Sequence, residues 1–479
     1  MHPKVVLSSV LFIILAACQT PISEFVERPR FEAIATGQDF PVAVPASFNA
    51  TLGWLIVPED RIDPQSTDVR LPVAIIHSKS ESNKSPVVYL AGGPGTAAMR
   101  TAAFPGAYPW LKDRDFIVIG QRGTHYATPA LMCPEYRDAV ATSSDQVTSV
   151  RACKTRLEAS GVRLGTYNSI TSAADLEALR QALEIESWSL YGGSYGTRLA
   201  LIYAKIYGSS VESMVLDSPL PPNAKYDDES AQNFENALRA IARDCAAQPD
   251  CAEAFPALEE RFFQTIAEVS ASPLKIDTFD ETVTAPSLVS LIQITSESGV
   301  RRAPMMMDQV AKLEPELFSA LADPPQASDF AWGMRFSVWC SEALPFSERS
   351  NSENPGKVLG GYESAAIDPE LCDAWAVPAI DPRITEPVVS NVPTLIIAGE
   401  FDPLTPPKWG ELAAKTLPNS MVVTIRGGSH SSTQQWGGDG CAMSISADFL
   451  DAPEAFLMTS ASENCASSRA APAYQVTRE

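Results

Sequence analysis

The stretch Trp188–Leu201, WSLYGGSYGTRLAL, changes character at its middle. Up to Gly193 it is a short apolar run, the pattern of a buried strand. From Gly196 the run GTRLALIYAKIYG continues with apolar residues and good helix formers, the pattern of a helix. Between the two stands Gly192-x-Ser194-x-Gly196. A strand that passes into a helix through one serine makes a sharp, strained turn, and the turn lifts the hydroxyl above the sheet edge. Flanking glycines leave room for it, and the helix N-terminus aims backbone N–H donors at any negative charge that develops there. Ser194 is therefore the candidate nucleophile.

A serine hydroxyl is a weak nucleophile until a base takes its proton and a third group orients that base. In a strand–helix enzyme of this kind the chain order is serine, acid, histidine. Of the four histidines, His2, His77, His125 and His430, only His430 follows Ser194. It lies in RGGSHSS, directly after the last expected strand, on a loop that Gly427 and Gly428 make flexible. Asp402 lies in GEFDPLTPP, after the strand before that one, and its Pro and Thr neighbours mark a loop. It comes 208 residues after Ser194 and 28 before His430, room for an inserted domain and then for one helix and one strand. Asp217 in VLDSP also ends a strand and is a rival acid; Asp402 is preferred because its strand immediately precedes the one that carries the histidine. His77, inside a strand-like run, reads as structural and His125 as a loop residue. A tetrahedral oxyanion needs two donors. The N–H of Tyr195 is the natural first, and the loop Gly92–Gly95, GGPG, after the strand PVVYL offers the second, from Gly93.

The rest of the chain supports this arrangement. LGWLIVP (Leu52–Pro58) and VRLPVAIIHS (Val69–Ser78) read as an early hairpin, PVVYLAGG (Pro86–Gly93) and DFIVIGQRG (Asp115–Gly123) as buried strands. Thr171 and Ser172 are candidate N-caps for AADLEALRQALEI, whose Leu176, Leu179 and Leu183 repeat at helical spacing. SMVLDSP (Ser213–Pro219), VPTLIIAGEFDP (Val392–Pro403), a helix near Pro407–Leu417 and SMVVTIRGGSH (Ser420–His430) continue the alternation. Strands separated by helices make a mostly parallel sheet flanked by helices, an α/β fold. From about residue 221 to 385 the strands stop and helical runs take over, the pattern of an inserted helical cap. The expected division is a signal peptide over 1–17, an extended leader over 18–50, a core over 51–220 and 386–479, and the cap between. The tail carries Cys465 and is expected to be pinned.

The N-terminus reads as an export signal: MHPK, then the apolar run Val5–Leu15, then small residues before Cys18. The run is too short for a permanent span, which needs about 20 residues. LAAC (Leu15–Cys18) resembles the lipobox of bacterial lipoproteins, which implies lipidation at Cys18 and anchorage in a membrane; with Gln19 next, a Gram-negative host would place it at the outer membrane, facing the periplasm. Nine cysteines less Cys18 leave an even number for an oxidising compartment. They fall in local couples: Cys133 with Cys153, Cys245 with Cys251, Cys340 with Cys372, Cys441 with Cys465. No CxxC occurs and the histidines do not cluster, so no metal site is expected. A net charge of −22 argues against nucleic acid as a partner and against electrostatic attachment to anionic lipid.

Taken in order, AGGPG, QRGT, ADLEALRQAL, YGGSYGT, VLDSP, IAGEFDPLTPP and GGSH resemble the proline iminopeptidase-like branch of the α/β-hydrolases, specifically the secreted tripeptidyl aminopeptidase-like enzymes with a distinctive C-terminal segment. The resemblance covers roughly Leu52 to Cys465. It implies Ser194 as nucleophile, Asp402 as acid and His430 as base, no cofactor, and peptide substrates from which short N-terminal fragments are released. Cys340 and Glu342 in VWCSEAL are similar to a cap motif of such enzymes, which makes Glu342 a candidate anchor for the substrate amine. Two departures bear on substrate preference. The family usually reads Asp-Gln-Arg-Gly-Thr-Gly where this chain has Gly120 and His125 at the ends, and its glycine-rich loop more often continues with Gly and Ser where this one runs Gly95-Thr96-Ala97. A carboxylesterase or lipase with the same three residues is the alternative, because fold does not fix substrate. A non-catalytic surface-binding lipoprotein is a third reading, opposed by the joint presence of nucleophile, acid, base and oxyanion loop.

Overall fold

The computed structural model describes residues 29–35, 40–80, 82–275, 282–321, 329–348, 355–362, 367–435, 438–459 and 465–477. The export signal, Cys18 and residues 19–28 and 36–39 of the leader lie outside these residues. Nine strands form the central sheet: β1 (Arg30–Ala33), β2 (Ala50–Pro58), β3 (Asp68–Ile76), β4 (Val87–Leu90), β5 (Phe116–Ile119), β6 (Trp188–Gly193), β7 (Val211–Asp217), β10 (Thr394–Gly399) and β11 (Ser420–Ile425). Their order is β1-β2-β3-β5-β4-β6-β7-β10-β11. From β5 to β11 all neighbours are parallel, whereas β1, β2 and β3 form an antiparallel edge joined antiparallel to β5.

The parallel strands are buried along almost their whole length, the exceptions being Glu212 in β7 and the edge strand β11, as strands covered on both faces must be. Side-chain alternation sends Trp188 and Leu190 of β6 to one face and Tyr191 to the other. On the first face they pack with Leu199, Ile202 and Tyr203 of the helix Tyr195–Tyr207. On the second, Tyr191 lies in an aromatic layer with Tyr108 and Trp110. Each face thus has its own core, and together they hold the C-terminal ends of the parallel strands in fixed positions.

A third core lies among the helices that follow β7, with Phe234, Leu238 and Ile241 from Tyr226–Ala246, Phe262 and Ile266 from Leu258–Ala271, and Val300 and Met307 from Glu297–Lys312. A fourth cluster joins helix to sheet: Phe336 and Trp339 of the helix Trp332–Glu342 meet Tyr195, Leu220, Tyr226 and Trp409. Four disulfides tie these parts locally, Cys133–Cys153, Cys245–Cys251, Cys340–Cys372 and Cys441–Cys465. The last fastens the tail to the helix Cys441–Asp451. Among the described residues no helix is long and apolar enough to cross a membrane.

Several elements differ from expectation. The leader contributes β1, paired with β2, because its Arg30–Ala33 backbone finds an open strand edge. Two helices, Pro134–Ala141 and Gln146–Ala159, lie where the periodicity gave no expectation; their amphipathic signal is weak and a disulfide joins them. The helix Ser169–Ala182 begins before Thr171 and Ser172. Its cap is Asn168, whose side chain accepts from the Thr171 N–H at 3.0 Å, and its first turn is held from outside by Glu342. The helical region also contains a two-residue strand pair, β8 (Leu274–Lys275) with β9 (Thr282–Val283). There the run MMMDQVAKLEPELFSALA breaks into two helices at Leu313, which turns left-handed at φ 50°.

Candidate active site

The turn at Ser194 is as sharp as the sequence requires. Ser194 sits between β6 and the helix Tyr195–Tyr207 with φ 54° and ψ −124°, a left-handed conformation that costs a non-glycine residue energy and persists only where its surroundings fix it. Here they do. The Ser194 N–H donates to the Asp217 carbonyl at 2.9 Å and its own carbonyl accepts from Thr197 at 2.9 Å. A Cβ on Gly196 would stand 1.9 Å from the Leu90 carbonyl oxygen, and one on Gly192 2.6 Å from that of Gly196. Neither position admits a side chain. The close approach at Gly196 brings the end of β4, and the loop after it, against the serine, with Gly92 so near that a Cβ there would lie 3.0 Å from the Ser194 Cβ.

That loop carries Gly93 at φ 108°. Its carbonyl accepts a hydrogen bond from the Arg335 guanidinium, and the Gly95 carbonyl accepts from the Ala331 N–H at 2.9 Å. Arg335 also lies 4.2 Å over the Trp339 ring. The N-terminal part of the helix Trp332–Glu342, with the residues just before it, thus grips the loop. Gln121 braces it from below, donating to the Ala91 carbonyl at 2.9 Å. At the other side of the serine, the Tyr195 N–H opens its helix and has no carbonyl in the preceding turn to bond.

Asp402 and His430 stand at the ends of β10 and β11 and meet: Nδ1 of His430 is 3.0 and 2.9 Å from the two Asp402 oxygens. Asp402 is 1% exposed and fully occupied. Besides the imidazole it accepts from the Leu404 and Thr405 N–H groups, both at 2.9 Å, and from the Thr405 and Ser218 hydroxyls, both at 2.8 Å. Burial works against its charge, but the imidazole and the Thr405 bonds outweigh it and hold the carboxyl below the usual range. For His430 burial again opposes the charged form, and Asp402, aided by Asp217, raises its pKa above the ordinary histidine value. Ser194 and His430 line one cavity of about 250 Å³, walled largely by aromatic side chains, among them Tyr136, Tyr226, Trp332 and Trp339, with Arg335 beside them.

The rival acid is close by but differently engaged. Asp217 accepts from the N–H groups of Ser432 and Thr433, at 3.1 and 2.9 Å, and from the Thr433 hydroxyl. It holds the loop beyond His430, whereas Asp402 holds the ring. Glu342 departs from its expected role. Its carboxylate accepts from the Ser169 N–H at 3.0 Å and from the Ser169 hydroxyl, and lies 3.4 Å from Arg198. It is absent from the wall of the Ser194 cavity and faces a second cavity of about 220 Å³. Through Ser169, whose hydroxyl is 2.8 Å from the Tyr195 hydroxyl, it ties the helical region to the serine turn. His77 is bonded to Thr51 and Asp115, at 2.8 and 2.9 Å, and His125 is exposed, stacked edge-on against Tyr126. Ser218 and Arg335 escaped the sequence reading; Ser218 stood in the quoted VLDSP, but nothing local marks a serine that reaches two other loops. Among the described residues no group of three or more His, Cys, Asp or Glu could hold a metal ion.

Residues 85–433 match the family described as alpha/beta hydrolase fold. The chain is similar to a putative hydrolase, YuaR, of Escherichia coli K12, 26% identical over an alignment of 434 residues, covering 79% of this chain and 81% of that protein. It is 25% identical over 447 residues to serine protease Hip1 of Mycobacterium tuberculosis, covering 82% and 83%. A shorter match, 28% over 194 residues and 36% and 35% of the two chains, is to tripeptidyl aminopeptidase of Streptomyces lividans. Among solved structures, proline iminopeptidase of Mycobacterium smegmatis superposes with a TM-score of 0.41 at 17% identity, over 84% of this chain and 99% of that one.

Proposed function

Because the chain belongs to the α/β-hydrolase fold family, we propose that it is a serine exopeptidase that removes short N-terminal peptides through an acyl-enzyme on Ser194. The observation that carries this is one cavity shared by a serine in a strained strand-to-helix turn and a histidine whose far nitrogen is held by a buried carboxylate. In this reading the Ser194 Oγ attacks the scissile carbonyl while His430 takes its proton at Nε2. The imidazolium is stabilised by Asp402, and the oxyanion by the N–H groups of Tyr195 and Gly93. The C–N bond then breaks, His430 returns the proton to the leaving amine, and water releases the acyl group by the same steps in reverse roles.

The peptidase reading draws on the relatives named as serine protease and tripeptidyl aminopeptidase. The placement of charge adds a length. Among the described residues no carboxylate lines the Ser194 cavity, while Asp227, Asp228 and Glu342 line the second one, which shares Leu220, Tyr226 and Trp339 with the first as a common wall. A substrate ammonium that seeks those carboxylates must reach past the wall. An extended chain advances about 3.3 Å per residue, and in this reading more than one residue lies between the ammonium and the scissile bond. All three carboxylates already have partners, Glu342 in Ser169 and Arg198, Asp227 in the Trp339 indole N–H at 2.9 and 3.0 Å, and Asp228 in Ser347 and Glu348, so a substrate ammonium would add to these bonds.

The deciding experiment compares di-, tri- and tetrapeptide fluorogenic substrates with free and with acetylated N-termini, beside a simple ester. Turnover confined to free-amine di- or tripeptides is the expected result. Ester turnover without peptide turnover would replace the reading with the carboxylesterase.

The protein is further proposed to be exported and lipid-anchored through Cys18, on the strength of its N-terminal pattern alone. Labelled palmitate should enter the wild-type protein in a bacterial host and not Cys18→Ser; equal labelling of both would remove the anchor.

A further inference from the structure

We propose that Asp217 and Ser218 are positioning residues for the reaction, a carboxylate and a hydroxyl at the end of β7 that set Ser194, Asp402 and His430 in register with one another. The proposal rests on the roles given above to those three residues.

The two residues touch all three strand ends that carry the chemistry. Toward β6, the Asp217 carbonyl takes the Ser194 N–H at 2.9 Å. Toward β10, the Ser218 N–H donates to the Ile397 carbonyl at 2.8 Å and the Ser218 Oγ donates to Asp402 Oδ2 at 2.8 Å. Toward the loop after β11, the same Oγ accepts from the Ser431 N–H at 2.7 Å, and the Asp217 carboxylate takes the next two N–H groups, of Ser432 and Thr433. Three consecutive backbone donors following His430 are therefore held by two consecutive side chains. The Thr433 hydroxyl, also on Asp217, is fixed in turn by the Tyr191 hydroxyl at 2.5 Å.

Two features mark this as more than ordinary burial. Both residues are 0% exposed, and burial outweighs these donors and pushes the Asp217 carboxyl up to about 6. Ser218 is left-handed at φ 59°, a conformation that costs a serine energy. The turn delivers its Oγ between Asp402 and Ser431, which an extended residue continuing β7 would not do. Neither side chain lines the Ser194 cavity, so neither meets the reacting atoms.

Asp217 also acts through its charge. The charged groups facing His430 are Asp402, Asp217 and, across the cavity, Arg335; those facing Asp217 are His430 and Asp402, with the phenols of Tyr89 and Tyr191. A carboxylate beside an imidazole favours the protonated ring, and the base must be neutral to act. Removing the charge therefore moves the acid limb of kcat/KM to lower pH, while loosening the loop lowers kcat.

The test measures kcat, KM, the pH profile and the rate of labelling by a fluorophosphonate for the wild type, Asp217→Asn, Asp217→Ala and Ser218→Ala. Asp217→Asn should lower kcat about 100-fold, the scale of a small misplacement of reacting groups, with KM changed less than about threefold and the acid limb moved down. Asp217→Ala, which keeps no acceptor, should fall below Asn. Ser218→Ala should lose about tenfold in kcat and in labelling rate. Folded variants that label at the wild-type rate with an unmoved acid limb would overturn the proposal, and Ser218→Ala decides it alone if the Asp217 variants do not fold. A wild-type protein that resists the fluorophosphonate would instead overturn the role of Ser194, and this proposal with it.

Discussion

Ser194→Ala is expected to lower kcat/KM for any peptide the protein cleaves by about 10⁴- to 10⁶-fold while leaving the fold intact. The loss is large because the acyl-enzyme route disappears, and it is not total because the oxyanion donors and the binding cavity remain. The fold should tolerate it. The Ser194 backbone bonds to Asp217 and Thr197 do not involve the hydroxyl, and the strained φ is imposed by Gly192, Gly196 and Leu90 rather than by the side chain. His430→Ala should cost nearly as much, and the double variant no more than either alone, since the two residues act as one unit. Single-turnover assays on purified protein test this. Activity that survives Ser194→Ala, or effects of the two changes that multiply, would remove Ser194 and His430 from the mechanism.

The second large effect is on stability. Arg122 is 0% exposed and spends its guanidinium on Asp175, at 2.6 and 2.8 Å, and on the carbonyls of Glu59 and Thr166, at 2.9 and 3.1 Å. Burial opposes its charge, and the Asp175 carboxylate outweighs that and raises its pKa. Asp175 is itself 2% exposed and has one further cation, Arg61, at 2.5 Å. Arg122→Ala leaves a buried carboxylate, the buried Glu59 carbonyl and the part-buried Thr166 carbonyl short of donors, and should destabilise the protein by about 3–5 kcal/mol. Urea unfolding gives the number, and the expected signature is a lower midpoint with near-normal activity per folded molecule. A loss below about 1 kcal/mol would mean that Arg61 and water replace the guanidinium. A loss of activity without loss of stability would move Arg122 into the site.

Gly120 replaces the family's usual aspartate where a Cβ would stand 2.7 Å from the Pro72 ring, so the strand here has no room for a side chain. His125 is exposed and is not in the wall of the Ser194 cavity. The QRGT motif serves the frame: Gln121 braces the loop after β4 and Arg122 joins the turn after β2, the loop after β5 and the helix Ser169–Ala182. Under the proposed function, substrate preference is expected from the aromatic wall around Arg335.

What the sequence determined by itself is local and periodic. The strand-to-helix turn at Ser194 was legible because only glycine fits at 192 and 196, and a steric demand of that kind is written in residue identity. The alternation of apolar runs gave the parallel sheet, and chain order gave Asp402 and His430, because βα units place successive loops along one sheet edge. The tertiary structure decided whatever depends on residues distant in sequence. Asp402 and Asp217 both end strands, and only the sheet order, with β10 between β7 and β11, shows which carboxylate reaches the imidazole and which reaches the loop. Glu342 read as an anchor from its motif, but a buried carboxylate goes to whatever donors surround it, here Ser169 and Arg198. Ser218 and Arg335 gave no signal, since a hydroxyl or a guanidinium gains its role from the partners that folding brings within hydrogen-bond reach.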